Sequence, residues 1–330
     1  MFRPIHPFIY FFVWTSILGQ QNLGSIERIV PEEMNKLIPE NSKIEVLSSG
    51  FQWAEGPLWV PKLKGVLFSD VPQNKVYLWT EKNGLSLFLD PSGMTDYAPH
   101  STSEGANGLA LDTSGNLILC QHGDRRVARL KKHLFNTVKY ETLIDRFGKL
   151  RFNSPNDLTI SSKGVVLFTD PPYGLSNQDQ DSIKEIPFNG IYSWSEESGV
   201  QLLSKSLLRP NGIALSKDEK TVYIGNSDAK NAIVAAFDLR DGKLLRERVF
   251  FDGNVLVQNR RGLFDGLKVH SSGVVFATGP GGVLLISPSG KHLGSILTGN
   301  KATANCAFDT NEDYLYITST DVLARIKLKQ

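Results

Sequence analysis

The chain has 330 residues, 41% of them hydrophobic, 21% charged and 10% aromatic, an ordinary globular composition that excludes a disordered, collagenous or disulfide-framework protein. Thirty-six Lys and Arg against 34 Asp and Glu leave +2, which gives no electrostatic reason to expect nucleic acid or an acidic membrane as partner. Two cysteines, six histidines and no HxxxH or CxxC spacing argue against zinc.

At the amino terminus Arg3 precedes an apolar run from Phe8 to Leu18. Eleven residues are too few to cross a bilayer as a helix, which needs about 20. The pattern reads as a signal peptide over residues 1–21, cut near Gly19–Gln21, and predicts an exported protein, periplasmic or secreted. Residues 22–42 form an N-terminal segment with a short helix expected around Glu32–Leu37.

From residue 43 to 330 the chain shows short β-rich runs between turn residues, and one pattern recurs. A small residue or Pro precedes a polar acceptor, usually Gly follows, and then a strand. It appears as AEGPLWV, ANGLALD, PNDLTIS, PNGIALS, FDGLKVH and ANCAFDT, with acceptors Glu55, Asn107, Asn156, Asn211, Asp265 and Asn305. The intervals are 52, 49, 55, 54 and 40 residues. A second and a third strand follow each occurrence, and a fourth completes the first five units. The sixth has no room for one before Gln330, while an unused strand, Lys43–Leu47, lies near the amino terminus. The expected fold is all-β, a six-bladed β-propeller whose last blade is closed by that strand pairing with Leu323–Lys327. Cys120 and Cys306 fall in blades two and six, which are not neighbours, so both are expected as buried free thiols.

Equivalent positions in a radial repeat share one ring. The six acceptors are therefore expected to point into the central channel at one face. Two carboxylates and four amides are hard oxygen donors, suited to Ca²⁺ and less well to Mg²⁺ or Mn²⁺. The loops after the second strands should surround that ring. They carry Asp70, His122, Arg126, Asp170, Tyr173, Asn226 and Asp228, and the glycines of TGPGG. The basic stretch RRVARLKKH alternates as a strand with a solvated face.

AEGPLW, NGLALDTSGNLILCQHGDRRV, SPNDLTISSKGVVLFTDPPYGL, RPNGIALSKDEKTVYI and FDGLKVHSSGVVF resemble the SMP-30/gluconolactonase/LRE-like family of six-bladed propellers, over about Phe51 to Lys327. QHGDRRV and TDPPYG are most similar to its bacterial gluconolactonase-like branch. The resemblance implies one divalent cation, most commonly Ca²⁺, held by Glu55, Asn156, Asn211 and Asp265. It implies substrate contacts from Asn107, His122, Arg126 and Tyr173. The implied activity is hydrolysis of a sugar lactone such as gluconolactone to its aldonic acid. Asp265 is the first candidate for the base and His122 the second. Hydrolysis of a phosphoester at the same cation, or a non-enzymatic binding platform, are the alternative readings. The expected partner is a small-molecule lactone, with no nucleic acid and, after signal cleavage, no membrane. The residues leave the oligomeric state open.

Overall fold

The computed structural model describes residues 23–102, 104–134 and 137–329. The expected signal peptide lies outside these described residues. Six four-stranded antiparallel units follow one another along the chain. Their innermost strands are Ala54–Val60, Ala106–Leu111, Leu158–Ile160, Pro210–Leu215, Leu267–Val269 and Thr303–Phe308. This is the six-bladed propeller that the repeat predicts.

The sixth blade closes with the amino-terminal strand Ile44–Ser49. Ile44 pairs with Ile326, Glu45 with Arg325 and Val46 with Ala324, and a bulge then shifts the register so that Ser49 meets Val322. The pairing covers what would otherwise be an open edge on the strand Val322–Lys327.

The second strands read as unbroken apolar runs because both faces of each sheet are covered. In Val275–Gly279 the alternation of the pleat sends Val275 and Ala277 toward blade four and Phe276 toward blade six. Among the described residues the buried apolar side chains form six clusters, one between each pair of neighbouring blades.

The Gly that follows most of the ring acceptors has a packing cause. A Cβ at Gly56 would stand 2.1 Å from the carbonyl oxygen of Asn107, and one at Gly212 would stand 2.1 Å from that of Asp265. Each of these glycines lets an inner strand approach the acceptor residue of the next blade. Blade three has Asp157 at this position, and Asp157 is 3% exposed.

The structure adds elements that periodicity does not show. Ser25–Arg28 forms a fifth strand on blade five, antiparallel to His292–Leu297. The short helix is Pro31–Met34, and hydrogen-bonded turns continue it to Ile38. Met34, Leu37 and Ile38 pack into the cluster between blades five and six. A two-stranded hairpin, Arg146–Phe147 with Leu150–Arg151, stands between blades two and three. Cys120 and Cys306 are buried free thiols.

Candidate active site

One cavity of about 470 Å³ opens at the face where the inner strands begin. Glu55, Asn107, Asn156, Asn211 and Asp265 all line it, as do His122 and Tyr173. Asn305, the sixth ring position, does not. Its amide donates to Asp157 at 3.4 Å and accepts from Lys268 at 3.4 Å, so the Asn305 side chain joins a charged network, and blade six reaches the cavity through Ala302 and Thr303 instead.

The amides form a chain with a fixed direction. The Ser227 hydroxyl donates to the Phe264 carbonyl. Ser227 then accepts from Asn211 Nδ2 at 3.0 Å, and Asn211 Oδ1 accepts from Asn156 Nδ2. Asn156 Oδ1 in turn accepts from Asn107 Nδ2 at 2.9 Å. A carbonyl can only accept, so Ser227 must donate to it, and that orientation sets every amide along the line. Asn107 Oδ1 is left buried and without a partner at the far end.

Asp265 Oδ1 is also buried and without a partner. Burial, then the charge of Glu55, then that of Asp157 hold the Asp265 carboxyl well above the usual carboxylate range. Burial raises Glu55 to about 7, opposed by the Gly56 N–H at 2.6 Å and assisted by the Asp157 charge. Two carboxylates that repel each other in a buried site, beside oriented amide oxygens and the orphaned Asp265 Oδ1, fit a hard divalent cation. Glu55, Asn156, Asn211 and Asp265 are the residues that could hold it. Among the described residues no three His, Cys, Asp or Glu side chains gather as a metal set, so a purely anionic or nitrogenous centre has no counterpart here.

His122 Nδ1 lies 2.9 Å from Glu104 Oε2, and its Nε2 lies 3.1 Å from Asn156 Oδ1. Glu104 has no place in the recurring motif and sits in an irregular segment, which is why sequence patterning does not find it. Trp53, Val71, Pro72, Leu263 and Ala302 give the wall an apolar side. The Tyr173 hydroxyl is buried in the cavity wall, and burial with the Asp265 charge pushes its ionisation upward.

The structure places Arg126 elsewhere. Its guanidinium pairs with Asp124 at 2.8 Å, donates to Gln121 and Thr142, and stacks over Tyr97 with 4.0 Å to the ring centroid. Arg126 is not part of the cavity wall, because Asp124, buried within blade two, needs its charge. Asp70, Asp170, Asn226 and Asp228 do not line the cavity either. The last residues of these second strands therefore lie behind the acceptor ring, while the loops that follow them bring Val71, Pro72, His122, Tyr173 and Ser227 to the cavity as expected of those loops.

A six-bladed propeller with a polar ring at one channel mouth defines the class of protein. The description SMP-30/gluconolactonase/LRE-like region matches residues 53–321, and the chain belongs to that family. It is 34% identical to a Zymomonas mobilis gluconolactonase over 319 residues, which cover 94% of this chain and 88% of that one. A solved gluconolactonase from Xanthomonas campestris superposes with a TM-score of 0.80 at 28% identity, covering 92% of this chain and 95% of its own. A calcium-binding regucalcin from Agrobacterium tumefaciens shares the fold, with a TM-score of 0.65 at 17% identity over 86% of this chain and 94% of its own.

Proposed function

We propose that this protein is a divalent-cation-dependent lactonase that opens a sugar lactone, such as gluconolactone, to the aldonic acid. The observation that carries the reading is the convergence of Glu55, Asn156, Asn211 and Asp265 on one cavity with Asp265 Oδ1 unpartnered. The similarity to gluconolactonases supports the choice of substrate class. Hard oxygen donors favour Ca²⁺ over softer ions.

When bound, the cation supplies polarisation of the lactone carbonyl and stabilisation of the negative charge that develops on its oxygen. The side chains do the rest. Asp265 accepts a proton from the attacking water, and its carboxyl, held well above the usual carboxylate range by burial and the Glu55 charge, binds that proton more strongly than an exposed Asp would. The water oxygen bonds to the carbonyl carbon, the acyl–oxygen bond of the ring breaks, and the proton ends on the released ring oxygen. Asn107 Oδ1 and the Tyr173 hydroxyl offer hydrogen bonds to ring hydroxyls, and Glu104 orients His122 for the same task. Trp53 supplies an apolar surface against the C–H face of a sugar ring. The amino-terminal run Phe8–Leu18 supports export of the chain.

The test is gluconolactone hydrolysis followed by acid release and corrected for the spontaneous rate, with chelator and after Ca²⁺ is restored. Loss of turnover in chelator with recovery on Ca²⁺ is the expected result. Inactivity on a panel of lactones by protein carrying its cation would overturn the proposal.

A further inference from the structure

Asp70, Asp170 and Asn226 end the second strands of blades one, three and four, and each is at most 2% exposed. Each turns its side chain toward the backbone that leads into a ring acceptor. The Trp53 N–H donates to Asp70 Oδ1 at 3.1 Å, beside the Gln52 N–H at 3.1 Å to Oδ2. The Ser154 N–H donates to Asp170 Oδ1 at 2.8 Å, beside the Asn153 N–H at 2.9 Å to Oδ2. The Arg209 N–H donates to Asn226 Oδ1 at 2.9 Å. Trp53, Ser154 and Arg209 all stand two positions ahead of their acceptors, Glu55, Asn156 and Asn211.

We infer that Asp70, Asp170 and Asn226 are positioning residues of the cation centre, an inference that rests on the cation reading above. Anchoring an N–H two positions ahead fixes the peptide planes that aim the acceptor side chain. In blade three both partners of the clasp are buried, so no water replaces the anchor there. In blade three Arg125 grips the same stretch from the other side, its Nε donating to the Phe152 carbonyl at 2.8 Å and the Asn153 carbonyl at 3.2 Å.

The distribution separates this role from general blade packing. The three clasps occur on three of the four blades that present the candidate ligands. The fourth, blade five, has Gly279 at the equivalent position and so no side chain to clasp with; the Asp265 N–H bonds to the Thr278 carbonyl at 3.2 Å, as the Asn156 N–H bonds to the Thr169 carbonyl at 2.9 Å in blade three. In blade two, whose Asn107 is outside the ligand set, Gln121 turns away to the Ser92 carbonyl at 2.8 Å.

The experiment compares Asp70→Ala, Asp170→Ala and Asn226→Ala with the wild type and with Gln121→Ala. Ca²⁺ affinity is measured by calorimetry on chelator-treated protein, and thermal unfolding is followed in chelator. The expected loss of affinity is about ten- to a hundred-fold for each clasp variant. Gln121→Ala should unfold at lower temperature yet bind Ca²⁺ as the wild type does. Asp70→Asn and Asp170→Asn keep one acceptor oxygen and should fall in between, and they carry the comparison if an alanine variant does not fold. Clasp variants that fold cooperatively and bind Ca²⁺ at wild-type strength overturn the inference alone. So does a Gln121→Ala protein that loses as much affinity. Wild-type protein that binds no Ca²⁺ overturns the cation reading and this inference together.

Discussion

Glu104 Oε2 lies 2.9 Å from His122 Nδ1, on the opposite side of the imidazole from Asn156. The contact links a residue outside every repeat to the amide at the centre of the ring. It also fixes which edge of the imidazole faces the cavity. Glu104→Ala should therefore release the ring and impair lactone turnover by about ten-fold or more, chiefly in KM if His122 contacts a ring hydroxyl. Glu104→Gln keeps an oxygen for the Nδ1–H and should recover much of that loss. Equal activity of wild type and Glu104→Ala in steady-state assays would remove His122 orientation from the mechanism.

Asp265 is asked to hold the cation and to accept a proton. Asp265→Asn preserves a carbonyl oxygen and removes the proton acceptor. Turnover should fall by about a hundred-fold or more, the scale of a lost general base, even where the variant retains metal. Glu55→Gln should instead act through weaker cation binding and recover as Ca²⁺ is raised. Metal content measured beside initial rates separates the two. A metal-loaded, fully active Asp265→Asn enzyme would leave His122 as the base.

Burial raises both Glu55 and Asp170 to about 7. The folded chain therefore holds these protons more tightly than the unfolded chain, whose carboxyls release them near pH 4. These two groups make the cation-free protein lose stability as pH rises from about 4 to about 7, with no further change above that range. A cation that binds the deprotonated site opposes this loss. Unfolding midpoints in chelator should fall between pH 5 and pH 7, and Glu55→Gln should flatten the trend. Added Ca²⁺ should raise the midpoint more at pH 7 than at pH 5. Coincident curves with and without Ca²⁺ at both values would count against a cation centre.

Arg126 carries a different expectation from the one its motif suggests. Asp124 is wholly buried and accepts from the Thr95 N–H at 2.9 Å as well as from Arg126. Arg126→Ala would strand that carboxylate, which typically costs about 3–5 kcal/mol. Chemical denaturation should show that loss, while the KM of the remaining folded enzyme stays close to wild type. A large rise in KM with unchanged stability would return Arg126 to the substrate site.

The blade count, the closing strand and five of the six ring positions in the cavity wall are legible in the chain itself. A radial repeat places equivalent positions on one ring, so a period read along the sequence becomes a position in space. The same logic explains the closure, because a unit one strand short must borrow its edge from elsewhere. The repeat does not specify which way a side chain turns. Asn305 keeps the phase of the ring yet faces Asp157 and Lys268, since blade three carries a carboxylate where four of the blades carry Gly. Arg126 stands in a family motif yet serves Asp124, because a buried charge takes the nearest partner. Glu104 belongs to no period, Trp53 and Ser227 hold periodic positions whose residue type does not recur, and only the packing of separate blades brings the three to one cavity. The direction of the amide chain, set by a single Ser227 hydroxyl on the Phe264 carbonyl, is likewise a tertiary fact: the contact spans 37 positions and joins blade four to blade five.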